Sequence, residues 1–471
     1  MGQTSAGISI DDRQGLRDAV ARGDRAPFGW KPAMVLVCIS LVDRIETSVV
    51  AGVLPLLQEE WGFSDTFGGA IPTAAAIAGI LIALPAGYLA DRVHRTRLLS
   101  IVVATWSIVI MASGLAVSFA MFFATRVVLG AADSLDGPAA SSVLADYYPP
   151  ASRGKVFGYH RLSAFVGGGL GVLFGGVIGQ LFGWRAAFVF MVIPGLVVAW
   201  ATWRLAEPRR GQMDEVVADL RSTAGVSGDE PVGPDSVSLA GDADVVLAAP
   251  LASGPRALYA QLRTLMQVRT VSHVYVGVMA LFTGISGIFF WLPSYYQRTH
   301  DLNEGTSAAL AAVLTLVATI SGTVIGGTLG DRWHGSRPGW RIVLSGAGLL
   351  SGSFALAASF AMPSLALQLL LLGAGMILMS LAIPNLSAAV ADVLPATQRG
   401  IGFGLFGLLS AVGGAIGPLA VGATSDLIGS LAGAFYVLVV PIIVGSLAVL
   451  RCRSSFDADV AAVLDAAERP E

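Results

Sequence analysis

Long apolar runs separated by short polar turns dominate the chain from residue 31 to residue 451. A helix crosses a bilayer with about 20 predominantly apolar residues. Runs of that length fall at 31–57, 67–90, 98–119, 121–146, 156–180 and 184–205, and again at 271–298, 307–330, 341–360, 364–393, 400–425 and 429–451. The pattern predicts an all-α membrane protein with 12 transmembrane helices in two six-helix bundles. It divides the chain into a polar N-terminal tail (1–30), a first bundle (31–205), a linker (206–270), a second bundle (271–451) and a polar C-terminal tail (452–471). In the first tail, Leu16, Ala19 and Val20 have the spacing of a short surface helix. The linker is rich in Gly, Pro, Ser and Asp up to about residue 255, as a connector requires. Leu258, Leu262, Leu265 and Met266 then recur at spacings of three and four, which predicts an amphipathic helix at the membrane interface.

The charges break this apolar pattern in two informative ways. The basic residues of the turns gather in alternate ones, Arg92, Arg95, Arg97, Arg153, Lys155, Arg332, Arg337, Arg341 and Arg399, with Arg185 and Arg298 as exceptions on the other side, and the linker and both tails also carry arginines. The positive-inside bias then predicts that both termini and the linker are cytoplasmic. Second, the first span carries Asp43, Arg44 and Glu46, and the fourth carries Arg126, Asp133 and Asp136. Asp43 lies about 18 Å along the helix from Lys31, near the bilayer midplane. Charges at that depth are costly and line a route or pair with a partner. Asp43 and Glu46 are spaced i, i+3, and Arg126 and Asp133 are two turns apart, so each pair shares a helix face. Burial and a nearby arginine act in opposite directions on a carboxyl, which suits an acid that must take up and release a proton.

Composition narrows the classes further. The chain has 471 residues, 54% hydrophobic and 13% charged, outside the range of soluble domains. A net charge of -3 gives no reason to expect nucleic-acid binding. Cys38 and Cys452 lie at opposite ends and offer neither a disulfide framework nor metal-ligand spacing. The first apolar run is too long for a signal-peptide core and lacks a small-residue cleavage site. There is no P-loop and no Ser, His and Asp set, so the chain reads as neither an ATP-driven pump nor an enzyme, with no cofactor and no metal. Only Lys31 and Lys155 are lysines, and Ala and Gly are abundant, which suggests a GC-rich bacterial genome and hence a bacterial inner membrane.

The two halves repeat. Gly87, Asp91 and Arg92 match Gly327, Asp331 and Arg332 at an offset of 240 residues; Asp146 and Pro149 match Asp392 and Pro395 at an offset of 246. Small-residue stripes at Gly167–Gly176 and at Gly413, Gly414 and Gly417 predict close helix packing in both halves. Gly87, Asp91, Arg92 and Arg95 form the pattern G-x-x-x-D-R-x-x-R, and here the chain resembles the major facilitator superfamily. The resemblance implies two parallel six-helix repeats around a midplane site, alternating access, and a cytoplasmic gate at Gly87, Asp91, Arg92 and Arg95 with Asp331 and Arg332 as its second copy. Ala51 to Pro55 followed by Gly87-Tyr88-Leu89, then Thr125-Arg126 with Gly130 and Asp133, and Leu265 to Thr270 before span seven, are similar to the Spinster-like branch. That branch comprises proton-linked exporters of lysolipids and sphingoid phosphates. There Asp133 is usually Glu, and either Asp43 or Glu46 inherits the role of the first-span acid.

The sequence therefore reads as a monomeric secondary transporter, proton-coupled, exporting a small amphiphile such as a lysophospholipid from among the membrane lipids. A multidrug/proton antiporter of the same fold, or a non-transporting membrane sensor, is the alternative. Asp43, Glu46, Asp133 and Asp136 are the candidate proton-coupling acids; Arg44 and Arg126 would meet the head group, and Phe290, Trp291 and Asn385 on the nearly uncharged wall of spans seven and ten would meet the tail.

Overall fold

The computed structural model describes residues 12–90, 92–223, 255–334 and 339–468, which are helical apart from short turns. A surface helix α1 (Arg13–Ala21) precedes α2 (Lys31–Trp61), α3 (Asp65–Ala90), α4 (Arg95–Gly114), α5 (Phe119–Asp133), α6 (Asp136–Tyr147), α7 (Pro150–Phe182) and α8 (Trp184–Trp203). Linker helices α9 (Gln212–Thr223) and α10 (Pro255–Gln267) follow. The second bundle holds α11 (Arg269–His300), α12 (Glu304–His334), α13 (Trp340–Phe360), α14 (Leu365–Ser380), α15 (Ala382–Asp392), α16 (Ala396–Ile428), α17 (Leu431–Ala434) and α18 (Tyr436–Arg451), and the chain continues into α19 (Arg453–Glu468). Among the described residues, 10 helical segments are long and apolar enough to cross a membrane. The two expected spans outside that set are α2 and the α5–α6 pair, the two that carry the charges.

The fourth and tenth spans, expected to be continuous, are each broken after four turns. The breaks, at Ser134–Leu135 and at Leu381, are 246 residues apart. Pro138 and Pro384, also 246 apart, explain both: each lacks the N–H that would bond the carbonyl four residues back, at Ser134 and Ser380. The repeat extends to packing. Gly167, Gly171 and Gly175 of α7 face the Leu41, Ile45 and Val49 carbonyls of α2; Gly413 and Gly417 of α16 face the Met279 and Thr283 carbonyls of α11. Matching these contacts sets α2 and α11 at an offset of 238, which also relates Pro55 to Pro293.

The glycine stripe gives a stability prediction. A Cβ at Gly171 would overlap the Ile45 carbonyl oxygen, a backbone atom that cannot turn aside, whereas a Cβ at Gly154 meets nothing within 4 Å. Gly171→Val should cost about 1–3 kcal/mol or more by overpacking, and lower the melting temperature in detergent. Gly154→Ala should leave it unchanged; equal behaviour of the two would remove the stripe from the account.

Two polar segments are more ordered than their composition suggests. In α1, Leu16 and Ala19 are buried against α9, whose Met213 and Val216 are buried in turn. The second segment, α19, buries Phe456 and ties back to Thr270, whose N–H donates to Asp459 (3.2 Å). The amphipathic helix forms as α10 and buries Leu265 while Tyr259 and Met266 stay exposed.

The tightest contacts between the halves gather toward one end of their shared interface. In α3, Gly69 abuts the Pro418 carbonyl of α16, and the Thr73 hydroxyl donates to Ala415 (2.5 Å). On the other side Gly176 of α7 abuts Glu304 and Ala308 of α12, and Gln180 accepts from the Gly305 N–H (2.9 Å). All these residues lie toward the arginine-poor turns. At the arginine-rich end, Tyr88 and Leu89 of α3 and Tyr159, Leu162 and Phe165 of α7 are exposed, and a Cβ built on Gly154 or Gly158 of α7 would meet nothing within 4 Å, as expected of a cleft open at that end.

Candidate functional site

The charged residues of the first bundle converge, but not on one surface. On α2, Asp43 and Glu46 are buried while Arg44 and Thr47 are exposed. Because α7 and α8 cover the other sides of this helix, its exposed stripe is the cleft wall. Arg44 reaches back to Asp43, with Nε 3.4 Å from Oδ2. The carboxyl of Asp133, at the end of α5, lies beside that of Asp43. Glu46 turns the other way. A Cβ added at Gly195 of α8 would sit 3.2 Å from Glu46 Oε1, so glycine there makes room for the carboxyl.

Arg126 lies inside the bundle too. Its Nη2 donates to Ser113 of α4, and its guanidinium packs over the rings of Phe122 and Phe188, 5.3 and 5.2 Å from their centroids. Glu46 Oε1, Arg126 Nε and Nη1, and Asp133 Oδ1 are buried without a hydrogen-bond partner among the described residues. Each such group costs about 1–3 kcal/mol. Asp136 begins α6 and is buried. The structure thus brings Asp43, Arg44 and Asp133 together beside the cleft and sets Glu46 and Arg126 behind them.

The second bundle has no such cluster. By the offsets of 238 and 246, Asp43, Glu46, Arg126 and Asp133 correspond to Leu281, Gly284, Leu372 and Met379. Gly284 lies against Met379: a Cβ built on Gly284 would sit 3.0 Å from the Met379 methyl. Arg44 corresponds to Phe282, half-buried on the facing wall, where Ile285, Ser286 and Phe289 continue the same stripe. The Phe289 ring comes within 3.5 Å of a Cβ built on Gly168, so it reaches across to α7. Phe290 and Trp291 are buried off this stripe. The Trp291 Nε1 donates to the Pro418 carbonyl (2.8 Å), at the closed end. Asn385 is also internal: its Nδ2 donates to the Gly326 and Leu381 carbonyls, both at 2.8 Å.

At the arginine-rich end, Gly87 is buried in the last turn of α3 and Arg92 stacks on Tyr88, 3.9 Å from the ring centroid. Asp91 lies outside the described residues. Arg95 is a buried hub. It donates to Asp146, to Ser142 (2.7 Å), to Glu207 (2.8 Å) and to the Pro208 carbonyl (2.7 Å). Burial works against the charged form of Glu207, yet the Thr96 N–H, Arg95 and the Thr96 hydroxyl outweigh it and hold the carboxyl below its ordinary range. In the second bundle Arg341 takes the same position, bonded to Asp331 (2.9 Å) and Asp392 (2.8 Å); Arg332 is exposed. The Arg95 hub ties the first bundle to the start of the linker, and the Arg341 hub lies within the second bundle.

The arginine-poor end holds a cluster that crosses between the halves. Arg298 at the end of α11 donates to both oxygens of Asp65 (2.7 Å each) and to Gln58 (2.7 Å). The Ser425 hydroxyl donates to Asp65 (2.6 Å), and Asp426 accepts from the N–H groups of Asp65 (3.0 Å) and Thr66 (2.8 Å), capping α3 from the opposite half. Charge counting marks Arg298 only as an exception to the orientation bias; its partner could have been sought among the acids of the turn at Asp65. Arg185, the other exception, is paired with Glu60 (2.6 Å).

Comparisons with known proteins agree with this architecture. The family model described as Major Facilitator Superfamily matches residues 36–418. Protein spinster of Drosophila melanogaster is 25% identical over 186 residues, 39% of this chain and 31% of that protein. The match therefore spans about a third of that relative's length. A probable L-galactonate transporter of Escherichia coli (strain K12) is 23% identical over 284 residues, 59% of this chain and 57% of that protein. Among solved structures, a bacterial homolog to human lysosomal transporter Spinster, in an inward-facing and unoccupied conformation, superposes with a TM-score of 0.71 at 20% identity, covering 96% of this chain and 98% of that one. With its repeated bundles, its paired arginine hubs and a family match over most of its length, the chain belongs to the Major Facilitator Superfamily.

Proposed function

We propose that this transporter exchanges protons for an amphiphile that carries a charged head group and an acyl tail, a lysophospholipid or a close relative, and exports it. The observation that carries this reading is the juxtaposition of two buried carboxyls, Asp43 and Asp133, beside Arg44. Two carboxyls hydrogen-bond to each other only while one holds a proton; both ionised, they repel. A cationic group entering the cleft competes with that proton for the same oxygens, which is the elementary requirement of antiport. The phosphate of a zwitterionic head would meet Arg44 in the same step. Phe282 and Phe289 on the facing wall offer nothing to a sugar, but each buried CH2 of a tail adds about 0.8 kcal/mol. With both termini and the linker cytoplasmic, the open end faces the cytoplasm, where cargo for export is loaded. A hydrophobic organic cation is the second reading, favoured by the same acid pair and aromatic wall.

Binding of lysophosphatidylcholines of graded chain length tests the reading. Arg44→Ala should weaken binding about tenfold at every length, a loss of about 1.4 kcal/mol. Phe289→Ala should cost little for short tails and progressively more for long ones. Losses independent of chain length for both variants would count for a compact cargo and against a tail site.

A further inference from the structure

We propose that the mouth formed by the starts of α2 and α7 binds the phosphate of an anionic bilayer phospholipid, separately from the cargo. The chain has only two lysines, one next to Trp30 in sequence and the other over its ring. Lys31 follows it directly, and Lys155 of α7 holds its Nζ 5.5 Å from the Trp30 ring and 5.8 Å from that of Tyr159. The platform beneath is fixed. Trp30 stacks on Tyr148 with centroids 5.8 Å apart and planes at 24°. The Tyr148 hydroxyl donates to the Gly29 carbonyl (2.9 Å) and accepts from the Ala33 N–H (3.0 Å), so one side chain ties both ends of the turn around Trp30.

Both lysines are exposed, and among the described residues no carboxylate lies within 4.0 Å of either ammonium. The neighbouring arginine is engaged: Arg153 donates to the Tyr148 and Ala145 carbonyls and to Asp214 (2.6 Å). The Lys155 ammonium, held against two aromatic faces, leaves positive charge at this corner. Ammonium groups beside Trp and Tyr at the first turn of a span match the head-group layer of a bilayer.

The face below the lysine is apolar. Gly169 and Gly176 of α7 pack against α12. Counting back by sevens along the same helix leads to Leu162 and Lys155, with Tyr159 and Phe165 alongside. At this end the halves have separated, and Tyr159, Leu162 and Phe165 are exposed. A lipid whose phosphate meets Lys155 and Lys31 can lay its chain along that stripe. Net negative charge on the lipid is required, because a zwitterionic head brings its own cation into the same corner. The site does not depend on which cargo is carried, since Arg44 and the acid pair lie three turns further along α2 and take no part in it.

The full-length protein in nanodiscs of phosphatidylcholine with a stepped fraction of phosphatidylglycerol provides the test, with retained lipids counted by native mass spectrometry. The wild type should retain phosphatidylglycerol in preference. Lys155→Gln and Lys31→Gln should each reduce that preference about fivefold, the factor for one lysine charge at a lipid surface. Lys155→Arg and Arg44→Ala should keep it, and inorganic phosphate should not displace the lipid. Undiminished preference in both glutamine variants overturns the proposal. So does loss in Arg44→Ala, which would place the lipid in the cargo site, or displacement by inorganic phosphate, which would make it a site for free anions.

Discussion

Replacing Asp133 by asparagine should abolish the response of transport to a pH gradient while leaving cargo binding within about tenfold of the wild type. The place of this side chain beside Asp43 is the reason. Asparagine keeps the shape and can donate permanently to the Asp43 carboxylate, so the pair no longer needs a proton to stay together. Arg44 then remains the standing counter-ion of Asp43, and cargo exchange loses its obligatory partner. Proteoliposomes loaded with a pH-sensitive dye distinguish the outcomes: the variant should move cargo down its own gradient without moving protons. Proton movement that persists with cargo would transfer the role to Glu46. That residue sits behind the pair against Gly195, and its Oε1 has no hydrogen-bond partner among the described residues.

The second large effect is conformational. Removing Arg298 leaves Asp65 buried without its main counter-charge and cuts both Arg298–Asp65 bonds and the one to Gln58. Hydrogen bonds to charged groups contribute about 1.5–3 kcal/mol each, and about 1.4 kcal/mol moves an equilibrium tenfold. Arg298 is partly exposed, so water recovers part of this. Arg298→Ala should still shift the population at least about tenfold toward the state open at the arginine-poor end. A single cysteine at Tyr159, exposed in the present state, should be labelled less from the arginine-rich side; one placed at Thr73, buried between the halves, should become reactive from the other. Unaltered labelling at both positions would show that the Asp65 cluster does not hold that end shut. The Asp426 cap on α3 is expected to act in the same direction, because opening must strip the Asp65 and Thr66 N–H groups of their acceptor.

The twelve spans and the repeat are legible in the sequence because bilayer thickness and backbone satisfaction leave a membrane helix little freedom. The breaks of the fourth and tenth spans were equally available, in Pro138 and Pro384, but an apolar run hides them unless the prolines are read as missing donors. Facing is less legible. Positions 43 and 46 are 60° apart around a helix, close enough to be counted as one face. That rotation nevertheless separates a carboxyl that lies beside Asp133 from one that points at Gly195. On α11 the run of Phe289, Phe290 and Trp291 is apolar all round, so nothing in the pattern says which ring meets the cleft. The helix turns 100° between Phe289 and Phe290, and only contacts with Gly168 and Gly414 select the former stripe. The ion pairs of Arg185 and Arg298 were visible as violations of the orientation bias; what the sequence lacks is the distance that joins each to its acid across the turns.

The account turns on whether cargo and protons move in exchange through the Asp43–Asp133 pair. The direct measurement is uptake of lysophosphatidylcholine into inverted vesicles of cells expressing the chain, with the vesicle interior made acidic. The account predicts accumulation against the cargo gradient, loss of the imposed pH difference in step with uptake, and collapse of both by a protonophore. Accumulation that ignores the pH difference, or a pH difference that persists during full uptake, would contradict it.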